Sequence, residues 1–374
     1  MAGLNNSLGG RHFPQVRLQT SKTLLIDGPA SIALEEGQAW TLGAPIRTGD
    51  PIVVTKFRRI PIETDKEAVF HIKTGEKGAY KQVEGSTISP SWREASDLLR
   101  QSRGLAVILG DVDLGKSTLS TYLANVCFDH GIRTRIIDGD IGQADIGPPT
   151  TISSSTVSNH ILSLQDLRPE RSHFIGDTSP SSVTAKLVQS ITHLKDEISG
   201  RSEVIILNTD GWVRDEEAVS YKLQLLHSLR PNLVLGLNSD KELDPILEQQ
   251  QCTTLRLEVS SYARTRTREE RKKTREEGYR RFFQNPKQQN FNLNSIKLRM
   301  FNKSRQQRID QDSTYKGTLA GLLDEEGMLL SIGRIARIQN GIVRVTTTTG
   351  EKPRIVELGA VILSSRFDEV GYEL

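Results

Sequence analysis

An α/β protein is what this sequence predicts, with a parallel sheet at its centre and small, mostly-β domains on either side. Three observations lead there. Apolar strands alternate with helical segments between about residues 91 and 285, which is how parallel sheets are wound. Short apolar runs broken by Gly-containing turns fill the stretches before and after. Gly110-Asp-Val-Asp-Leu-Gly-Lys-Ser117 stands between an apolar strand and the first central helix.

At 374 residues the chain exceeds what one ordinary core supports, so several domains are expected. Hydrophobic residues make up 36% and charged residues 25%, the balance of a folded globular chain rather than a disordered or fibrous one. A formal net charge of +3 does not by itself announce a nucleic-acid binder, so that reading must come from charge distribution. Cys127 and Cys252 lie far apart, which excludes a disulfide framework and fits a reducing, cytoplasmic setting. The N-terminus lacks the apolar run of a signal peptide, and no stretch of about 18 apolar residues is present, so no membrane partner is expected.

Residues 1–22 show no periodic pattern and are expected to be irregular. Residues 24–26, 51–54 and 68–72 are short β runs with turns at Asp27-Gly28, Glu36-Gly37 and Thr48-Gly49-Asp50, which predicts a small sandwich or barrel over residues 1–90. At Pro90 the pattern changes: Trp92, Ala95, Leu98 and Leu99 fall at helical spacing. The central domain, residues 91–285, then alternates strands (105–109, 134–137, 203–208, 233–237) with helices (117–130, 181–199, 215–229). Residues 286–374 return to β runs (319–323, 328–332, 342–346, 356–363) with turns at Glu326-Gly327 and Asn340-Gly341, predicting a third, mostly-β domain.

Gly110 to Ser117 satisfies G-x-x-x-x-G-K-[ST] with the strand before it and the helix after it that a P-loop needs. The central domain is therefore expected to be a P-loop NTPase domain. Gly110, Asp111, Val112, Asp113, Leu114, Gly115, Lys116, Ser117 and Thr118 would cradle a nucleoside triphosphate. The glycines let backbone N–H groups face the phosphates, Lys116 neutralises β and γ oxygens, and the Ser117 hydroxyl is a magnesium ligand. A second element, Arg135-Ile-Ile-Asp138-Gly-Asp140-Ile-Gly-Gln143, brings two carboxylates to the carboxyl end of a strand, where such sheets bind ligands. One of them can hold the metal ion through water and the other can accept a proton from an attacking hydroxyl. Gln143 is placed to orient a nucleophile or a metal-bound water. An Asn-Lys-x-Asp element for reading guanine is not matched by Gly236-Leu-Asn238-Ser-Asp240-Lys241.

Between Arg264 and Arg281 nine Arg or Lys stand against four Glu. Thr267-x-x-Glu270 is a capping-box signal, so a helix is expected to begin at Thr267, with Arg266 just outside and Arg271 and Arg275 on one face. Laid over the phosphate site, such a helix stabilises the transferring phosphoryl group; otherwise it binds a nucleic-acid backbone or is a solvated helix with internal ion pairs. Residues 204–208 run into Thr209-Asp-Gly-Trp212, whose aromatic either stacks on a base or packs as a hinge.

Together with Phe174-Ile-Gly-Asp-Thr-Ser-Pro180, these elements resemble the polynucleotide 5′-hydroxyl kinase family, which includes the kinase subunit of the eukaryotic pre-mRNA cleavage factor, ribosomal-RNA-processing kinases and archaeal RNA kinases. The resemblance covers the central domain and the three-domain layout. It implies ATP-dependent phosphorylation of the 5′-hydroxyl end of RNA or DNA, with RNA-processing complexes as partners. It further implies Lys116 and Ser117 as the P-loop lysine and metal ligand, Asp140 as general base, Trp212 as the clasp that stacks on the terminal base, and Thr178 in the substrate groove. Arg266 and Arg271 would be the lid arginines, with Arg275 a further candidate. Magnesium is expected at Ser117 and Asp138. The family's adenine contacts come from its N-terminal domain without a compact motif, so none is assigned. Asp111 and Asp113 depart from the pattern by placing two acidic residues in the loop. Two other readings are a nucleotide-loaded scaffold of an RNA-processing complex and a regulatory NTPase with water as acceptor.

Overall fold

The computed structural model describes residues 14–237, 240–300 and 315–372. The chain divides into two compact units, Met1–Ile88 and Ser89–Leu374. In the first, strands β1 (Gln15–Leu18), β2 (Lys22–Asp27), β3 (Ala30–Glu36), β4 (Trp40–Thr41), β5 (Ala44–Pro45), β6 (Pro51–Val54), β7 (Arg59–Glu63), β8 (Ala68–Thr74) and β9 (Ala79–Glu84) form two antiparallel sheets. Their orders are β1-β8-β3-β6 and β5-β4-β7-β2-β9. In β3 the buried Ala30, Ile32 and Leu34 alternate with half-exposed residues. These residues share one core with Phe70 and Ile72 of their own sheet and with Leu24, Ile26 and Ile62 of the other, the packing of a sandwich. The expectation of an irregular N-terminus is corrected in part: Gln15–Leu18 pairs with β8, because Val16 and Leu18 have a core to enter. Residues 1–13 lie outside the described residues, as do Asn238 and Ser239 of the segment weighed for guanine recognition.

The second unit opens with helix α1 (Pro90–Ser102), whose first turn is capped by the Ser89 hydroxyl. The central elements follow as β10 (Gly104–Gly110), α2 (Lys116–Asp129), β11 (Thr134–Gly139), β12 (Thr151–Thr156), β13 (Arg171–Phe174), α3 (Thr184–Ser199), β14 (Val204–Thr209), α4 (Glu216–Leu229), β15 (Leu233–Leu237), α5 (Asp244–Leu247), β16 (Thr253–Leu257) and α6 (Arg268–Phe282). Their sheet runs β13-β12-β11-β14-β10-β15-β16. The strands from β11 to β16 pair in parallel as expected. The expected parallel sheet is extended by two antiparallel strands, β12 and β13. Their sequences, Thr-Ile-Ser-Ser-Ser-Thr and Arg-Ser-His-Phe, lack the apolar run that marks a buried strand. The carboxyl ends of β10, β11 and β14 deliver the P-loop, Asp138 and Asn208 to one edge of the sheet.

The C-terminal strands β17 (Lys287–Asn292), β18 (Lys297–Met300), β19 (Thr318–Leu323), β20 (Leu329–Gln339), β21 (Ile342–Thr347), β22 (Ile355–Leu363) and β23 (Glu369–Tyr372) form a separate sheet within the same unit. Its order is β17-β21-β20-β19-β22-β18, with β23 on β22. Phe174 of β13, Tyr279 and Phe283 at the end of α6, and Leu319, Ile332 and Val361 of this sheet make one core cluster. The C-terminal half of α6 is therefore an integral part of the fold, although its sequence reads as almost wholly charged.

Candidate active site

The P-loop leaves β10 and enters α2 through Gly115, which sits at φ 100° and offers no side-chain cap. Only glycine takes that conformation without strain, and the uncapped first-turn N–H groups stay available to an anion. Lys116 is buried, and its Nζ donates to the carbonyls of Gly110 at 2.9 Å and Asp111 at 2.8 Å. Burial lowers the pKa of this ammonium, against the opposing pull of the Asp140 charge. The lysine is thus folded onto the carbonyls of its own loop.

The two carboxylates expected from sequence both shape the loop after β11. Asp138 is buried and accepts from the amides of Asp145 at 2.6 Å and Ile146 at 3.1 Å on Oδ2, and from Asn208 Nδ2 at 3.0 Å on Oδ1. Burial, with the Asp145 charge adding, pushes its pKa up to about 7. Asp140 Oδ1 accepts from Gly142 N at 3.1 Å and Gln143 N at 2.9 Å, and Oδ2 takes part in neither bond. Its pKa is raised by burial, while Lys116 holds it down.

Asn208, which sequence reasoning passed over, joins Asp138 and Ser117: the same Nδ2 also lies 3.4 Å from Ser117 Oγ. Its Oδ1 is buried without a hydrogen-bond partner. Among the described residues no group of three or more His, Cys, Asp or Glu could hold a metal ion. The oxygens that could hold a metal here are Ser117 Oγ and Asp138 Oδ1, both approached by the Asn208 amide nitrogen. Hard oxygen donors with a single carboxylate, completed by phosphates and water, fit magnesium.

Gln143 Nε2 donates to Gly142 O at 2.6 Å and reaches Arg271 O at 3.3 Å, linking the Asp140 loop to α6; its Oε1 is buried and unpartnered. Thr178 sits against the same loop, since a Cβ on Gly142 would fall 2.8 Å from the Thr178 carbonyl oxygen. The Thr178 hydroxyl is 3.2 Å from that of Tyr372 in β23.

Trp212 is half-buried and stacks on Tyr221, with ring centroids 6.0 Å apart and planes at 23°. Its Nε1 donates to Asp215 Oδ2 at 2.6 Å. The turn is held by Asp210, whose buried carboxylate accepts from Trp212 N at 3.0 Å, Tyr221 Oη at 3.0 Å and Lys222 Nζ at 2.8 Å. Neither Asp210 nor Lys222 was found from sequence; a fully buried lysine with an acidic residue twelve positions earlier carries no motif. Gly211 has to be glycine, because a Cβ there would lie 2.7 Å from the Val112 backbone nitrogen. The clasp turn therefore rests on the P-loop itself. Arg214 extends this contact with an ion pair to Asp111.

The lid helix α6 begins as its capping box predicts: Thr267 Oγ1 accepts from Glu270 N at 3.1 Å and Glu270 Oε2 accepts from Thr267 N at 2.8 Å. Arg266 and Arg271 both reach the P-loop, where they pair with Asp113 at 2.7 Å and 3.1 Å. Arg275 does not join them. Its Nε and Nη2 each donate at 2.7 Å to the Glu369 carboxylate of β23. Burial would lower the pKa of this guanidinium, but the hydrogen bonds and charge of Glu369 outweigh it and raise it. Sequence spacing put Arg271 and Arg275 on one face; their tertiary partners, Asp113 and Glu369, separate them.

A P-loop on a parallel sheet, a carboxylate pair beside it, an aromatic turn resting on it and two lid arginines over it define a nucleotide-dependent phosphotransferase. Residues 110–285 match the family described as mRNA cleavage and polyadenylation factor CLP1 P-loop. The chain is 36% identical over 255 residues to a polyribonucleotide 5′-hydroxyl-kinase of Pyrococcus abyssi, covering 68% of this chain and 70% of that one. It is 34% identical to the enzyme of the same name from Pyrococcus horikoshii, covering 68% of each. A solved Clp1p chain, taken from its complex with Pcf11p, superposes with a TM-score of 0.76 over 95% of this chain and 99% of that one, at 14% identity, and so shares the fold. The chain belongs to the polyribonucleotide 5′-hydroxyl-kinase family.

Proposed function

We propose that this protein transfers the γ-phosphate of ATP to the 5′-hydroxyl of RNA, in the cytoplasm. The observation that carries the reading is the docking of the acceptor apparatus on the donor loop: Trp212 through Gly211 on Val112, and Arg266 and Arg271 on Asp113. A scaffold that only holds nucleotide, or an NTPase that uses water, has no need of a base platform there. Two free cysteines, one of them buried, support the location.

The chemistry follows from the groups present. The first-turn amides of α2 and the Lys116 ammonium hold the β and γ oxygens. Trp212 stacks on the terminal base and brings the 5′-oxygen towards the γ-phosphorus, with Thr178 and Gln143 lining the groove. The bond from the 5′-oxygen to phosphorus forms as the bond from phosphorus to the β–γ bridging oxygen breaks. The hydroxyl proton passes to Asp140 Oδ2, and ADP leaves. Arg266 and Arg271 offset charge spreading over the equatorial oxygens. Magnesium, held by Ser117 and Asp138, would neutralise phosphate charge when bound.

The test incubates the protein with γ-labelled ATP, magnesium and 5′-hydroxyl oligonucleotides of RNA and of DNA, alongside Lys116→Ala and Asp140→Asn. Label should move to the RNA 5′ end with the native protein, and fall by at least about a hundredfold in each variant. Nucleotide bound but label on no oligonucleotide would support the scaffold instead; label released only as phosphate would support the NTPase.

A further inference from the structure

We infer that Asp113 is a positioning residue for the reaction, orienting both lid arginines through the P-loop. The inference rests on the reading of Arg266 and Arg271 as the groups that meet the phosphoryl oxygens. Asp113 stands in the loop at φ 61°, and its side chain is only 3% exposed. A carboxylate buried at the mouth of a triphosphate site repels the ligand, so its presence there calls for a compensating gain.

That gain is visible in its partners. Oδ1 accepts from Arg266 Nε at 2.8 Å and lies 2.7 Å from Arg266 Nη2. Oδ2 accepts from the backbone N of Arg266 at 2.9 Å and from Arg271 Nη1 at 3.1 Å. Arg271 Nη1 also donates to the Arg266 carbonyl at 2.7 Å, closing a ring of loop, helix entry and first turn. One edge of the Arg266 guanidinium is gripped at two points, which fixes its plane, while its remaining N–H groups and the Nη2 and Nε of Arg271 are not used by Asp113. Two cations against one carboxylate leave a net positive charge above the loop. Phosphoryl oxygens thus meet arginines already held in place, attached to the same loop that holds the β-phosphate, so donor and lid keep register.

A merely structural staple would lose folding or nucleotide binding when cut; a positioning residue loses turnover through its arginines. The experiment compares Asp113→Asn, Asp113→Glu, Arg266→Ala and the double Asp113→Asn/Arg266→Ala in the full chain. It measures kcat and KM for ATP in 5′-phosphorylation of RNA, ADP affinity and thermal midpoint. Asp113→Asn should lower kcat about ten- to a hundredfold while ADP affinity holds or tightens, because one negative charge beside the diphosphate is gone. In the Arg266→Ala background, Asp113→Asn should cost clearly less than it does in the native protein, the remainder being what the carboxylate does through Arg271. Asp113→Glu, which keeps the charge and displaces it by one methylene, should recover part of kcat, and it carries the test if Asp113→Asn does not fold. Unchanged kcat in Asp113→Asn, losses that multiply in the double variant, or loss of ADP binding together with turnover would overturn the inference. If the native protein moves no phosphate to RNA, it is the kinase reading that fails, and that outcome is seen separately.

Discussion

Replacing Glu369 by Gln should destabilise the second unit by about 2–3 kcal/mol. The Glu369 side chain is 2% exposed and that of Arg275 16%, and the two make a pair of parallel bonds at 2.7 Å. Removing one partner of a buried ion pair costs about 3–5 kcal/mol, because the other charge stays buried without compensation. Glutamine keeps the shape and one acceptor for the fork, and Arg275 retains some solvent, so the cost falls to the lower limit of that range or somewhat below it. The unit spans Ser89–Leu374. For a domain of this size each kcal/mol moves the midpoint by about 2–4 °C, so a fall of about 4–12 °C is expected. Differential scanning calorimetry reads it, and hydrogen exchange along α6 should rise together with it. The double variant Arg275→Met/Glu369→Leu should regain much of the loss, since apolar replacement of both partners removes the stranded charge. A midpoint within 1 °C of the native protein, with phosphate transfer lost, would refute the reasoning and return Arg275 to the phosphate.

Trp212→Ala should weaken use of RNA oligonucleotides by about 1–3 kcal/mol in kcat/KM, with KM for ATP unchanged; loss of ATP binding in a nucleotide titration would mark the indole as a packing residue alone. The pH profile of kcat should fall on the acid side at a pKa above the usual aspartate range. Burial raises the Asp140 pKa, the base must be ionised, and activity is therefore lost as pH falls through that raised value. A flat profile down to about pH 4.5 would remove Asp140 as the base.

Features written locally in the chain were legible. The P-loop, the alternation of β10 to β15 with helices, and the Thr267–Glu270 capping box all depend on neighbours within a few residues. Strands β12 and β13 were not, because the Ser-rich β12 forms a strand only against β11, and β13 only against β12. The same holds for single residues. Arg275 lies four positions from Arg271 on one helix, yet its partner is 94 residues away in a strand of four residues that no pattern marks. Asn208 declares itself only beside Ser117 and Asp138, and Asp210 only beside Lys222. Asp111 and Asp113 stood out as acidic residues in a loop for anions, but their purpose required Arg214 and the lid arginines. Chemistry that a short segment can host was readable; chemistry assembled by the sheet was not.

The Asp210 carboxylate has a bearing on how RNA is received. With three donors satisfied and Lys222 wholly buried against it, the turn before Trp212 has little freedom left to lose. A flexible loop that ordered on contact would take part of the stacking energy for its own immobilisation. On the proposed stacking role of Trp212, most of the entropic cost of association would fall on the single strand, so the length and stiffness of the RNA end, rather than the pliability of the protein, should govern its capture.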